Sequence, residues 1–138
     1  MNYLLDTCFI SELRKPEPNK LVLEWFNTVE ENSLFISALT IGELRYGIAL
    51  LPENAKRNDL EDWLRSIENS FNDMIIPIDE KIAGRWGEMR AAARARGNSL
   101  SVIDGLLAAT CDIYELILVT RNEKDFEATG IRINNTWE

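Results

Sequence analysis

The 138-residue sequence contains no histidine, and this absence narrows the chemistry that its side chains can perform. Histidine is the side chain whose ordinary pKa lies nearest neutral pH, so no general base, metal ligand or pH switch of this type is present. The two cysteines, Cys8 and Cys111, lack the Cys-x-x-Cys spacing and the histidine partners that are typical of a structural zinc site. We therefore expect a reduced, cytosolic protein.

Long apolar segments and positive charges are also scarce. No stretch approaches the roughly 18 apolar residues that cross a bilayer, and the amino terminus lacks the basic region of a signal peptide. The 15 lysines and arginines are outnumbered by 23 aspartates and glutamates, which gives a net charge of −8. We expect no membrane contact, and a nucleic acid would have to be held by local cationic groups or bound metal ions.

The sequence does contain enough apolar material, 46 % of its residues, for a core, and its length predicts one domain over residues 1–138. Short aliphatic runs predict strands at Tyr3–Leu5, Leu34–Ile36, Met74–Ile78, Leu116–Val119 and, at an edge, Ile131–Ile133. Amphipathic segments of helical period lie between them. This alternation predicts an α/β fold: a three-layer α/β/α sandwich around a mostly parallel sheet of four to five strands.

Helical spacing is clearest in three apolar stripes, at residues 21–29, 60–71 and 82–93. We expect one further helix from near Thr40 to Pro52, and we expect the third striped helix to run from near Asp79 to Gly97. The tryptophans of these stripes are better explained as core or dimer-interface residues than as a platform for stacking bases.

Four acidic residues come directly after predicted strands or at predicted helix starts: Asp6, Glu43, Asp104 and Asp125. Ligands of open α/β sheets bind at the carboxyl ends of the strands, so these side chains could share one rim of the sheet. Thr40-x-x-Glu43 and Ser101-x-x-Asp104 also have the spacing of a helix capping box, and for any one residue this structural role is about equally probable.

Asp6 differs from an ordinary cap because it lies between a buried strand and the apolar residues that follow Thr7. An ionised group in such a place is costly unless it is paired or bound to a cation. Carboxylates that lie close together also repel one another, and a divalent ion removes this penalty. Oxygen ligands select Mg²⁺ or Mn²⁺, either of which can activate water for hydrolysis of a phosphodiester.

These residues, with their neighbours, resemble a known family. Four parts of the sequence are similar to the PIN-domain ribonuclease toxins of type II toxin–antitoxin modules, the VapC-like proteins and their FitB-like relatives. They are the opening Tyr3–Thr7 with Ile10–Leu13, the Ser37–Leu44 segment, Asp104 before an alanine-rich helix, and Leu118–Asn122 with Asp125-Phe126. The similarity covers nearly the whole chain in the same order.

The resemblance implies a Mg²⁺- or Mn²⁺-dependent endoribonuclease with an acidic quartet of Asp6, Glu43, Asp104 and Asp125. Asp6 and Asp104 are the expected direct ligands, whereas Glu43 and Asp125 would act through water or by orienting the nucleophile. Thr7 and Thr120 are expected to hydrogen-bond the carboxylates from the second shell of the site. The resemblance also implies a homodimer, an inhibitory antitoxin, and contact with operator DNA only through that antitoxin.

Cationic residues near the proposed chemistry are candidates for binding RNA phosphates. Arg121 and Lys124 precede Asp125 in the same segment, and Arg85 belongs to an arginine-rich helix that also carries Arg90, Arg94 and Arg96. For the helix, a solvated surface with its arginines near the favourable carboxyl end is the simpler interpretation.

Two other functions remain open at the level of sequence. A phosphoacceptor module on a flavodoxin-like sheet would use an acidic pair after the first strand, but here Asp6 is followed by Thr7. A degenerate PIN-fold protein would keep the fold and the partner surface without catalysis, and the complete set of acidic residues favours the enzyme over it.

Overall fold

The computed structural model describes all residues, 1–138. Its sheet contains five strands: β1 (Tyr3–Leu5), β2 (Leu34–Ser37), β3 (Ile75–Ile76), β4 (Ile117–Val119) and β5 (Ile133–Asn134). They lie in the order β3-β2-β1-β4-β5, and every neighbouring pair is parallel.

Six α-helices connect or follow the strands: α1 (Thr7–Arg14), α2 (Lys20–Thr28), α3 (Ala38–Ala49), α4 (Ala55–Ser70), α5 (Glu80–Ala95) and α6 (Val102–Tyr114). Short 3₁₀ helices occupy Glu31–Ser33, Asn72–Met74 and Glu123–Thr129. None of the helices combines the length and the apolar character that crossing a membrane requires.

The central strand β1 is buried on both sides, which defines the layers of the fold. Leu4 and Leu5 are both fully buried, and consecutive strand residues point to opposite faces of a sheet. Leu4 joins a core with residues of α5, α6 and the last 3₁₀ helix, whereas Leu5 joins a second core with residues of α1 to α4. The predicted three-layer α/β/α sandwich with a parallel sheet is confirmed.

The order of the strands places a topological switch point between β1 and β4. From β1 the chain moves outward through β2 to β3, and it then returns to the other side of β1 to form β4 and β5. The crevice at the carboxyl ends of β1 and β4 is therefore the expected ligand site. A flavodoxin-like sheet has the order 2-1-3-4-5, so the phosphoacceptor alternative is wrong in its fold.

Several predicted helix boundaries are observed. Asp79 caps α5 by accepting a hydrogen bond from the Ile82 amide at 2.9 Å. Gly97 follows the end of α5 with a φ of 77°, a left-handed conformation that glycine adopts without strain. Ser101 caps α6 and accepts from the Asp104 amide at 3.2 Å, as the capping-box spacing indicated.

Other boundaries differ from the prediction. Helix α3 starts at Ala38 with Ser37 as its cap, so Thr40 is a buried residue inside the helix and Glu43 lies in its second turn. Strand β3 is shorter than the predicted Met74–Ile78, because a 3₁₀ helix ends at Met74 and Pro77 cannot donate a ladder hydrogen bond.

The packing of α6 on α5 depends on a missing side chain. Gly105 is buried in the first turns of α6, and a Cβ placed there would lie 2.8 Å from Cδ1 and 2.9 Å from Nε1 of Trp86 on α5. A carbon so close to an aromatic ring must displace it. Gly105 therefore sets how closely α6, which carries Asp104, approaches α5.

We expect Gly105→Ala to lower the free energy of unfolding by about 1–3 kcal/mol, because the added methyl group collides with the Trp86 indole. Gly87→Ala is the matched control, since nothing lies within 4 Å of its added Cβ. Better helix propensity should make that variant about 0.5–1 kcal/mol more stable. Urea unfolding of both variants tests this, and equal stability of the two would contradict it.

Candidate active site

Asp6 lies at the switch point, immediately after β1, and its side chain is almost completely buried with 7 % of the residue exposed. Its Oδ1 accepts a hydrogen bond from the Thr7 amide at 2.8 Å and thereby caps α1. Its Oδ2 accepts from the Thr120 hydroxyl, also at 2.8 Å, and Thr120 directly follows β4. One carboxylate thus joins the ends of the two strands that flank the crevice.

The Cys8 thiol also contacts this carboxylate, with Sγ 3.6 Å from Asp6 Oδ2 and 3.6 Å from the Thr120 hydroxyl oxygen. Burial, and secondarily the negative charge of Asp6, raises the pKa of Cys8 above its usual value. The protonated thiol is a weak donor, and its polar neighbours in the crevice are the oxygens of Asp6 and Thr120.

Glu43 reaches the same rim from α3. The Thr7 hydroxyl donates a hydrogen bond to Glu43 Oε1 at 2.7 Å, and its oxygen lies 3.3 Å from the hydroxyl of the buried Thr40. Glu43 itself is exposed. Thr7 therefore links the cap of α1, beside Asp6, to a carboxylate 36 residues later, and it holds that carboxylate in one orientation.

Asp104 approaches from the first turn of α6, where Ser101 caps the helix. Partial burial raises the pKa of Asp104 above its usual value, and the negative charges of Asp125 and Asp6 raise it further, against the opposing effect of a hydrogen bond with Ser101. The causes of this shift place Asp104 within electrostatic range of two acidic side chains from other segments, Asp125 and Asp6.

Asp125 is the fourth acidic residue of the set, and it is exposed, as Glu43 is. It lies in the 3₁₀ helix Glu123–Thr129 rather than in an open loop. Asp125 and Asp104 line the same polar cleft, of about 1050 Å³, which lies between α5, the start of α6 and this 3₁₀ helix. Glu43 lines a different, more apolar depression beside Ile78 and Ile103.

The donor set fits a hard divalent cation. None of the four carboxylates takes part in an ion pair with lysine or arginine, and Asp6 is buried without a compensating charge. No three acidic or cysteine side chains lie close enough to enclose one ion together. Mg²⁺ commonly keeps several waters and binds through one or two carboxylates, which suits this arrangement.

A buried carboxylate outside the acidic set was not singled out as a functional candidate in the sequence. Glu12 on α1 is 5 % exposed, and it accepts hydrogen bonds from Lys15 at 2.9 Å, the Asn19 amide at 3.0 Å and Trp137 Nε1 at 3.3 Å. The Lys15 hydrogen bond is the largest cause of a lowered pKa at Glu12. Apart from its spacing to Lys15, no local sequence pattern indicates this role.

Two of the cations that were proposed to contact RNA are already engaged within the protein. Arg121 lies 3.9 Å from Glu12 and stacks on the Trp137 ring at 5.4 Å, away from the carboxylates of the crevice. Arg85 donates to Asp112 at 2.6 Å, and this bond is the largest cause of its raised pKa. The side chain of Lys124 forms no hydrogen bond or ion pair, and Lys124 lines the cleft together with Asp125.

A parallel sheet in the order 3-2-1-4-5, with acidic residues gathered at its switch point, defines the class of protein. The chain matches the PIN domain family over residues 3–131 and belongs to that family. Within it, the chain belongs to the group of ribonuclease toxins that contains FitB and VapC, which confirms the resemblance seen in the sequence.

Individual relatives match over nearly their full length. The chain is 36 % identical to Toxin FitB of Neisseria gonorrhoeae over 97 % of each chain. It is 33 % identical to VapC ribonuclease Y4jK of Sinorhizobium fredii over 98 % of this chain and 97 % of that one. The solved structure of FitAB bound to an IR36 DNA fragment matches with a TM-score of 0.92 and 34 % identity, over 99 % of this chain and 96 % of that chain.

The raised pKa of Asp104 predicts how stability depends on pH in the absence of divalent metal. The folded protein binds this proton more tightly than the unfolded chain does, so ionisation of Asp104 costs stability as the pH rises above about 4. We expect Asp104→Asn to be as stable as the wild type at pH 7 to within about 1 kcal/mol, or more stable.

Urea unfolding in EDTA between pH 3.5 and 7 measures this. Any gain in the free energy of unfolding of Asp104→Asn over the wild type should be largest at neutral pH and should disappear in acid, where the wild-type carboxyl is also neutral. The exposed Asp59, which forms no ion pair or hydrogen bond with its side chain, supplies the control variant Asp59→Asn. An Asp104→Asn variant that becomes steadily less stable than the wild type as the pH rises would contradict the raised pKa of Asp104.

Proposed function

We propose that this protein is the toxin of a toxin–antitoxin module and cleaves RNA phosphodiester bonds as a Mg²⁺- or Mn²⁺-dependent endoribonuclease. The observation that carries the proposal is the buried Asp6 carboxylate at the switch point, which has no basic partner and whose charge, like that of Asp125, acts on Asp104. The names of the relatives, a toxin and a ribonuclease, support the same activity.

In this proposal the four acidic residues form two pairs with different tasks. Asp6 and Asp104 hold the ion directly, because Asp6 is buried and fixed by two hydrogen bonds and Asp104 gains most from a neighbouring positive charge. When bound, the ion lowers the pKa of water and stabilises negative charge on a phosphoryl oxygen. Glu43 and Asp125 accept hydrogen bonds from water and orient it towards the scissile phosphate.

The two threonines keep the carboxylates in place. Thr120 donates a hydrogen bond to Asp6 Oδ2 and thereby holds that carboxylate in one orientation. Thr7 does the same for Glu43 through Oε1. In each pair the threonine hydroxyl donates and the carboxylate oxygen accepts.

RNA must reach this site against a net charge of −8. Lys124 is the cation we propose to contact a substrate phosphate, because it borders Asp125 and is free of internal partners. We propose that residues 1–138 act as one domain and that the activity is exerted in the cytoplasm, where the RNA substrate is found.

The protein partner in this proposal is an antitoxin. A related structure is that of FitAB bound to a DNA fragment. Unpaired carboxylates attract a basic side chain, so an antitoxin arginine or lysine placed at Asp6 and Asp104 would block the ion. We propose that contact with operator DNA is made through the antitoxin, since this chain is strongly acidic.

We also propose that the toxin forms a homodimer. Tyr46 and Leu50, both on or next to α3, are each 68 % exposed, and Val102 at the start of α6 is 51 % exposed. Together they give the chain apolar surface that a second copy could cover. An inactive PIN-fold binding protein is the remaining alternative, and the complete acidic set argues against it.

We expect the wild type to cleave total cellular RNA when Mn²⁺ or Mg²⁺ is present and not in EDTA. Asp104→Asn should reduce cleavage to background, because it removes a charged ligand from the site while keeping the shape of the side chain. Sequencing of the newly formed RNA ends after short incubations measures both results.

Asp59→Asn is the matched control for this experiment, since it removes an equally charged carboxylate from the exposed surface of α4. It should cleave as the wild type does. Full activity of Asp104→Asn would remove this residue from the catalytic site, and an inactive but folded wild type would favour the binding protein.

Divalent ions should also raise the melting temperature of the wild type, because an ion that binds only the folded state stabilises it by RT ln(1 + [L]/Kd). At ten times the dissociation constant this amounts to about 1.4 kcal/mol. Asp6→Asn should show a much smaller increase, since it loses the buried ligand. Identical melting curves of the wild type in Mg²⁺, Mn²⁺ and EDTA would count against a metal site.

A further inference from the structure

The polar cleft that contains Asp104 and Asp125 extends well beyond the acidic site. One wall is the last two turns of α5 and the segment that leads to α6, and the opposite wall is the 3₁₀ helix Glu123–Thr129. Two glycines with left-handed backbones also line it, Gly97 with a φ of 77° and Gly130 with a φ of 74°. The lining is therefore not confined to the neighbours of the two carboxylates.

Charges of both signs line this cleft without neutralising one another. Arg96 and Lys124 have no acidic partner, and Asp104 and Asp125 have no basic partner. Charged residues that only keep a protein soluble have no reason to line the same cleft. Here both unpaired cations line the same cleft as Asp104 and Asp125, as a negatively charged chain that reaches a bound cation would require, and Glu127 is the third acidic residue of the lining.

Arg96 is held in position by the protein itself. Its Nη2 donates a hydrogen bond to the Ala128 carbonyl at 2.9 Å and so joins the end of α5 to the 3₁₀ helix that carries Lys124. A guanidinium has five donors, so most of them remain for another acceptor. In contrast, Arg90 covers the Trp86 ring at 5.3 Å and Arg94 does not line the cleft.

We infer that this cleft is the subsite for the nucleotides next to the scissile phosphate, with Arg96 and Lys124 as contacts to successive backbone phosphates. The inference rests on the proposed function and extends it to a defined path for the substrate. A phosphate chain satisfies both cations at once, and its scissile phosphate then lies beside Asp104 and Asp125.

The lining of the cleft favours unpaired RNA. Its volume of about 1050 Å³ lies just above the range of roughly 300–1,000 Å³ for pockets that hold a drug-sized ligand. This is room for a few nucleotides of one strand. Asn98 and Ser99 offer both donors and acceptors to base edges, which an unpaired strand exposes.

Charge-removing variants test this assignment, and each has a matched control. Lys124→Ala removes a cation whose side chain makes no internal contact, and Arg96→Gln removes the other. Lys56→Ala and Arg94→Gln remove the same charges outside the cleft. All four are compared with the wild type on total cellular RNA in Mn²⁺, and then on a labelled oligoribonucleotide that spans the strongest cleavage site found. Thermal melting shows which variants are folded.

We expect each cleft variant to lower kcat/KM by about tenfold, mainly through a higher KM, as loss of a charge-assisted phosphate contact predicts. The slope of log(kcat/KM) against log[KCl] should become shallower by about 0.7 for each lost contact with a single strand. The control variants should keep the wild-type slope. A purely structural role for Arg96 would not change the salt dependence.

The outcomes separate the subsite from the proposed function. Absence of any cleavage by the folded wild type would overturn the ribonuclease itself. Wild-type cleavage that is unchanged in Lys124→Ala and Arg96→Gln would overturn the subsite alone, and so would a loss that is equally large in the two controls. A lower rate in both cleft variants with an unaltered salt slope would also overturn it.

Discussion

A single buried carboxylate connects the architecture to the chemistry. Asp6 caps α1 with one oxygen and accepts a hydrogen bond from Thr120 with the other, so it fastens the ends of β1 and β4 at the point where the sheet reverses direction. Burial of this charge is costly without compensation, and neither lysine nor arginine is nearby to supply it. The fold keeps a destabilising feature at the place where its proposed activity needs it.

The cost of burying negative charge also affects the acidic residues near Asp6. Asp104 is pushed towards its neutral form by burial and by its acidic neighbours, whereas an ordinary surface helix would place a first-turn acid in water. Departures from locally optimal sequence are expected at functional sites. The protein compensates elsewhere, with two well-packed cores on either side of the sheet and caps on its longest helices.

Sequence reasoning recovered the features that local physics determines. Runs of aliphatic residues predicted the parallel strands, Asp79 and Gly97 marked the ends of α5, and Ser101 marked the start of α6. The four acidic positions followed from their place after strands and at helix starts. Their grouping required the further rule that the carboxyl ends of parallel strands share one edge of the sheet.

Features that depend on distant contacts were not predictable in the same way. Thr40 has the spacing of a cap, but it is buried against Thr7 and Ser37 caps the helix instead. Glu12 carries no local signal, since its Trp137 partner is 125 residues away. That contact also orients Arg121 away from the crevice, which the order of residues in its loop could not reveal.

The hydrogen bond between Asp6 and Thr120 spans 114 residues, which has a consequence for how the protein is made. During synthesis on the ribosome, the first strand and its carboxylate emerge long before β4 and the segment that carries Asp125. Contacts of such high sequence separation form late in folding. The proposed catalytic centre therefore comes into existence only when almost the entire polypeptide has been translated, and we expect a growing chain on the ribosome to be inactive towards RNA.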